Sequence, residues 1–317
     1  MLGLWVQLSP DRASTVAGKV DHLFYFLIAV SVFFAGLIFT LILVFAVKYR
    51  RRPGNEIPPA TKDNLMLEIL WTAIPAGLTV VIFLWGARLF YHIFTPPTGT
   101  IKINVVAKQW MWKIQHPEGK MEIDELHLPL GRPVELNLIS EDVIHDFFVP
   151  AFRVKHDVLP GRYSVEWFKP TKTGKYHFFC SQYCGTGHSR MVGWVYVMTP
   201  RDYQRWLTSG QPTDPLAVTG ERLFQRVGCA ACHGQESNGR GPSLVGLFGQ
   251  TVHLQNGRTR LADDDYLRES ILRPNAELVE GYQPVMPTFK GILSEEQILE
   301  LLAYMKSLPP KEGEVQP

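Results

Sequence analysis

Two long apolar runs near the N-terminus dominate the hydropathy of the chain. Residues 23–47 are 25 positions without a formal charge, and residues 69–87 are 19 more. The first is long enough to cross a bilayer as a tilted helix, and the second just spans it. The first run exceeds a signal-peptide core, and no small-residue cleavage site follows it. Pro75 is tolerable in a membrane helix, because neighbouring helices satisfy the freed carbonyl. Arg88, just past the second run, can snorkel to the interface. Lys48, Arg50, Arg51 and Arg52 lie between the runs. The positive-inside rule puts this loop in the cytoplasm and both termini on the outer face. The competing picture, two buried helices of a soluble core, fits these lengths poorly.

From Thr100 the pattern changes to short β-prone runs at 101–106, 121–128, 134–139, 163–168, 175–179 and 192–198. Gly, Pro and polar turns separate them, the spacing of an all-β sandwich or barrel. Residues 199–215 hold a short helix-like piece and then a Gly/Pro-rich linker. From Ala217 the reading is helical. Ser294 and Gln297 form a capping box. Ile298, Leu301, Leu302 and Met305 follow at helical spacing, giving one buried face. There is no internal repeat, and a frayed tail is expected from Pro309. The chain thus reads as a multidomain membrane protein. A transmembrane helix hairpin (about 23–47 and 69–93) lies within residues 1–98. An all-β domain fills 99–199, a linker 200–216, an all-α domain 217–310 and a tail 311–317.

At 317 residues the chain has room for two domains or more, and with a net charge of +2 nothing suggests nucleic acid or a strongly acidic partner. Four cysteines fall into two close pairs, Cys180/Cys184 and Cys229/Cys232, each inside a motif of its own. None is left over for a structural disulfide.

The first motif is Cys180-x3-Cys184-x3-His188-x2-Met191, on a loop between two predicted strands. Thiolate, thioether and imidazole together favour copper over hard cations. Two thiolates this close can bridge two metals. The alternative is a Cys180–Cys184 disulfide with a bystander histidine and methionine. The second motif is Cys229-x2-Cys232-His233, the pattern of covalent haem c attachment with His233 as proximal ligand. A Met/His-ligated haem needs an axial sulfur. Met286, in a Pro-framed loop before the last helix, is the candidate, whereas Met305 belongs to that helix's apolar face. The alternatives are a redox dithiol, which wants a βαβ context, and half a zinc site, for which His253 alone is not enough.

Together with the segment from Asp142 through His145 to Gly161, these motifs resemble subunit II of a haem–copper cytochrome c oxidase with a fused C-terminal cytochrome c domain. The resemblance covers nearly the whole chain. It implies a cupredoxin-like β domain whose dinuclear copper centre (CuA) is bridged by Cys180 and Cys184. His145, His188, Met191 and the backbone carbonyl of Gln182 complete its coordination. It implies covalently attached haem c on Cys229, Cys232, His233 and Met286. By this resemblance the chain is the electron-input subunit of a respiratory terminal oxidase. It takes electrons from external cytochrome c or another donor and passes them through haem c and copper to oxidase subunit I. There oxygen is reduced to water and protons are pumped. Subunit III and membrane lipid are further expected partners. The expected location is the bacterial inner membrane, with both cofactor domains on the periplasmic or outer face.

Three positions carry finer expectations. Most family members have glutamate where this chain has Gln182. A neutral amide is a weaker ligand for a hard cation, which argues against magnesium at the subunit I interface. Trp110, in Gln109-Trp110-x-Trp112, matches the family's electron-input tryptophan; otherwise Trp110 and Trp112 are core residues on one strand face. Glu68 matches the acidic mouth of a proton-uptake path; otherwise it is a solvated carboxylate favoured by the helix dipole. The rival functions are the copper-bearing subunit of a nitric oxide reductase, a membrane-tethered electron carrier and a copper-delivery protein.

Overall fold

The computed structural model describes residues 10–51, 63–209, 214–234 and 240–308. Arg52, residues 210–213 of the expected linker and the expected frayed tail from Pro309 lie outside the described residues.

Helices α1 (Thr15–Lys48) and α2 (Leu65–Phe94) form the N-terminal pair. Both are long and apolar enough to cross a membrane, and the rest of the chain leaves their most apolar stretches uncovered. Phe26 packs on Trp85, and Lys19 hydrogen-bonds His92 at 2.8 Å. Helix α1, about 50 Å long, is longer than a bilayer's apolar core of about 30 Å. Its start at Thr15, ahead of the uncharged run, has local causes. Ser14 accepts from the Ala17 amide and donates to the Phe152 carbonyl. Asp21, nearly buried, binds Arg12 at 2.6 Å and Arg153 at 2.8 Å. The first turns of α1 thus belong to the wall of the next domain. Helix α2 begins at Leu65 because Asn64 caps the Leu67 amide. Its far end is held where Trp167 Nε1 donates to the His92 carbonyl at 3.1 Å.

The β domain stacks two five-stranded sheets as a sandwich. The strands are β1 (Ile101–Lys108), β2 (Met111–Gln115), β3 (Met121–Ile123), β4 (Glu125–Pro129), β5 (Val134–Ser140), β6 (His145–Val149), β7 (Val154–Val158), β8 (Ser164–Phe168), β9 (Gly174–Cys180) and β10 (Val192–Met198). One sheet has the order β3-β2-β1-β5-β8 and the other β4-β10-β9-β6-β7. The β1–β5 and β10–β4 pairs are parallel; the rest are antiparallel. The expected single strand over 121–128 is two. The chain changes sheet at Asp124, which takes φ 56° while its carboxylate accepts from the Trp112 amide at 2.8 Å. Trp112, Phe147, Phe178, Leu126, Leu128 and Leu136 are fully buried between the sheets.

The C-terminal part contains α3 (Pro200–Thr208), α4 (Leu216–Arg226), the hairpin β11 (Thr251–His253) with β12 (Thr259–Leu261), α5 (Asp264–Leu272) and α6 (Glu295–Ser307). Helix α3 packs back on the β domain: Trp206 stacks on His127 at 4.4 Å, and Tyr203 is buried. Helices α4 and α6 cross so closely at Gly220 that a Cβ there would fall 1.9 Å from the Glu300 carbonyl. The capping box forms as expected, with Ser294 accepting from the Gln297 amide and Gln297 accepting from Ser294. The small hairpin departs from an all-helical pattern; strands of three residues are too short to leave a period. The apolar core here continues onto the β domain through Val106, Ile139 and Tyr163.

Candidate metal centre

The soft-ligand residues converge at one end of the second sheet. His145 opens β6, Cys180 closes β9, and the two are neighbours there because β6 and β9 pair at Phe147–Cys180. The loop between β9 and β10 returns through a 3-10 turn at His188–Arg190, which delivers Met191 to the base of β10. The two thiol sulfurs stand 3.7 Å apart. A disulfide needs about 2.05 Å, and both cysteines are free. His145 Nδ1 lies 3.8 Å from Cys180 Sγ, and the Gln182 carbonyl lies 3.1 Å from the same sulfur. His188 Nδ1 is 3.6 Å and Met191 Sδ 3.8 Å from Cys184 Sγ. Two central sulfurs, each flanked by its own imidazole and one further donor, make a set that suits two bridged copper ions. His145, Cys180, Cys184 and Met191 are nearly or fully buried, so water competes poorly for a metal here.

The surroundings fix the donors. His145 Nε2 lies 2.8 Å from Asp142 Oδ1, which turns Nδ1 toward Cys180. The other oxygen of Asp142 accepts from the Gln109 amide at 2.8 Å. Burial works against the Asp142 charge, but these hydrogen bonds hold its carboxyl below the usual range. The Cys184 carbonyl accepts twice, from Gln109 Nε2 at 2.8 Å and from Trp110 Nε1 at 3.1 Å. The Trp110 ring lies on Gly187, where a Cβ would come within 2.3 Å of it. The thiols are driven apart. Burial raises Cys180, but hydrogen bonds from His145 and from the Asp146 and Gln182 backbone outweigh it and bring the thiol to about 7. Burial, then the neighbouring Cys180, pushes Cys184 up to about 12.

A second set of residues surrounds an open cleft in the helical domain. Cys229 starts a 3-10 turn after α4, Cys232 follows it, and His233 comes next. His233 Nδ1 lies 2.9 Å from the Pro242 carbonyl. A carbonyl only accepts, so Nδ1 carries the proton and Nε2 is left as a ligand. Cys229, Cys232, His233 and Met286 line the same cleft, walled by Phe224 and Leu244 and enclosing about 1200 Å³ with its mouth included. That size and an apolar lining suit a large flat cofactor. The two free thiols and the free Nε2 supply what covalent haem attachment needs. Met305 also reaches the cleft wall but sits in the α6 core, 7% exposed.

Trp110 and Trp112 do not share a strand face. Trp110 lies in the turn before β2, over the metal loop, whereas Trp112 is inside the sandwich with its ring against His145. Glu68 is exposed in the first turn of α2, the end remote from the β domain. The Gln182 side chain is exposed as well. Two groups escape a reading of motifs alone. Gln109 and Asp142 lie in the quoted segments, but only the fold shows that they brace the metal loop and His145. Near them are buried acids: Ser181 donates to Asp146 at 2.5 Å, and Glu166 has an oxygen without a partner. Burial, reinforced by Asp146, pushes Glu166 well above the usual range.

The chain matches the family models described as "Cytochrome C oxidase subunit II, transmembrane domain" over residues 3–89 and "Cytochrome C oxidase subunit II, periplasmic domain" over 118–197. It matches "Cytochrome c" over 217–309. Cytochrome c oxidase subunit 2 of Alkalihalophilus pseudofirmus is 30% identical over 286 residues, covering 86% of this chain and 82% of the relative. The chain belongs to the cytochrome c oxidase subunit 2 family. The subunit 2 of Thermostichus vulcanus is 28% identical over 271 residues, covering 67% of this chain and 82% of that protein. The solved periplasmic domain of subunit II of cytochrome oxidase from Bradyrhizobium japonicum is 28% identical. It covers 36% of this chain and 94% of its own, with a TM-score of 0.35. This subunit II therefore joins two membrane-anchoring helices, a cupredoxin-like sandwich and a C-terminal cytochrome c domain in one chain.

Proposed function

We propose that this chain is the electron-input subunit of a respiratory haem–copper oxidase. It takes electrons from an external donor at haem c, relays them through a dinuclear copper centre and hands them to subunit I for oxygen reduction coupled to proton pumping. The observation that carries the proposal is the gathering of four further donors around two unbonded sulfurs 3.7 Å apart. A copper pair held here would supply one-electron transfer, with the charge shared over both metals.

The protein's own part is preorganisation. Cys180 and Cys184 would hold both coppers between them, with His145, His188, Met191 and the Gln182 carbonyl as the further ligands. Burial keeps water out, and Asp142 and Gln109 hold the donors still. At the haem, His233 and Met286 would hold the iron, and Cys229 and Cys232 would attach the group covalently. Trp110, hydrogen-bonded to the Cys184 carbonyl, is the residue through which the copper centre meets a docked donor. Glu68 opens a proton path into subunit I. The neutral Gln182 side chain makes magnesium at the subunit interface a poor fit. The boundaries proposed are 1–98, 99–199, 200–216, 217–310 and 311–317, in a bacterial inner membrane. Lys48, Arg50 and Arg51 are cytoplasmic, the cofactor domains are outside, and subunit III is a further partner.

The test is the electron paramagnetic resonance of the oxidised, copper-loaded full chain. We expect hyperfine structure from one electron shared by two coppers, lost in Cys184→Ser while the haem spectrum stays. A single-copper signal in the parent protein overturns the copper assignment.

A further inference from the structure

The cytochrome c domain does not hang on its linker. Three contacts from three elements seat it on the β-sandwich. At the start of α4, the Leu216 amide donates to the Pro117 carbonyl in the β2–β3 turn at 3.4 Å. In the first turn of α5, Asp265 accepts from the Tyr163 amide at 3.0 Å. In the first turn of α6, Glu296 pairs with Lys113 of β2 at 2.7 Å. Val106, Ile139 and Tyr163 of the sandwich are buried in one apolar cluster with residues of α5 and α6. One tether leaves a domain free to swing, and two leave an axis of rotation. Three separated anchors with a desolvated patch fix both position and orientation.

Lys113 is the centre of this seat. Its ammonium is shared between Glu141 of the sandwich at 2.8 Å and Glu296 of the cytochrome domain at 2.7 Å. Lys108 completes the group at 3.0 Å from Glu141. The Lys113 and Glu296 side chains are 21% and 12% exposed, so this pair is shielded in a way that surface ion pairs are not. Glu141 immediately precedes Asp142, the partner of His145. The seat therefore adjoins the bracing of the metal centre, while Tyr183 on the metal loop stays 73% exposed and open to a partner.

We propose that the haem-bearing domain delivers electrons from this one fixed seat, locked by the Lys113 cation shared between Glu141 and Glu296, and does not swing between donor and acceptor. The inference rests on the haem and copper assignments above. The step moves one electron: ferrous haem becomes ferric and the oxidised copper pair becomes reduced, with no bond formed and no proton transferred. From a fixed seat the step is a single phase whose rate ignores ionic strength. A swinging domain docked by charge gives a rate that falls with salt.

The experiment uses the full chain with both cofactors. The haem is reduced by a light flash, and haem oxidation is followed at low and high salt. The parent protein should give one salt-independent phase. Lys113→Glu and Glu296→Lys should each slow it on the order of tenfold and make it salt-dependent, as charge reversal between directly coupled residues does, whereas Lys113→Arg, which keeps a cation between Glu141 and Glu296, should behave like the parent. A salt-dependent parent rate, charge-reversed variants that behave like the parent, or a Lys113→Arg protein as slow as Lys113→Glu each overturns the proposal. The haem spectrum and copper resonance of every sample are recorded as well. Their loss in the parent protein refutes the cofactor assignments, whereas intact signals with unchanged rates refute the seat alone.

Discussion

Asp142 and His145, three residues apart on the approach to β6, are joined by a hydrogen bond of 2.8 Å between a carboxylate oxygen and Nε2. The bond leaves the imidazole one orientation, with Nδ1 toward Cys180. The second carboxylate oxygen ties the pair to the Gln109 amide, whose side chain holds the Cys184 carbonyl. One carboxylate thus braces both halves of the metal centre. Outer partners of this kind set affinity as well as geometry, so Asp142→Ala should weaken copper binding about 10–100-fold. Titration against a competing chelator measures it. The haem spectrum should not change.

Met286 and Met305 both line the haem cleft, but they differ in what holds them. Met305 is fixed in the buried face of α6, whereas Met286 sits half-buried on the loop before it. Met286→Ala should abolish the sulfur-to-iron absorption band and lower the haem potential, because a Met/His haem owes its high potential to the sulfur. Met305→Leu should keep the band and cost less than about 1.5 kcal/mol of stability, as volume-conserving core exchanges do. Spectra and potentiometry of the two variants distinguish the ligands; a band that survives in Met286→Ala moves the ligand elsewhere.

Glu166 is buried on β8 with an unpartnered oxygen, and burial raises its pKa well above the ordinary 4.5. A carboxyl raised in the fold keeps its proton after the unfolded chain has lost its own. The unfolded state then binds fewer protons, and stability falls as pH climbs from 4.5 toward the folded value. Glu166→Gln removes this penalty without changing shape. Its unfolding temperature should therefore exceed the parent's by a margin that widens from about pH 5 to about pH 8. A margin that is constant with pH would show that Glu166 is already ionised in the fold.

The residues that announce themselves in the sequence are those whose chemistry is rare. Cys180, Cys184, His188 and Met191 lie within twelve positions, and the fold brings all four together with His145. The two long apolar runs were equally plain, since few charge-free segments reach that length. Strand β6 was not legible, because it is buried on both faces and starts with the polar His145 and Asp146. The break at Asp124 was hidden too: a change of sheet keeps the alternation of side chains on either side. Gln109 and Lys113 owe their importance to partners 28 to 183 positions away, Asp142 and Cys184 for Gln109 and Glu141 and Glu296 for Lys113. Nothing local marks such a residue.

Helix α1 leaves the apolar span without interruption and ends inside the wall of the β-sandwich, clamped there by Ser14 and by Asp21 with Arg153. Helix α2 reaches the same sandwich separately, through the chain that enters β1 and through Trp167 on the His92 carbonyl. One inserted residue in α1 would shift its clamped end by about 1.5 Å and about 100° against that second support. Seven inserted residues would restore the bearing but leave α1 about 10 Å too long for its clamp. The two helices must therefore agree in length, and their common register holds the sandwich at a single height.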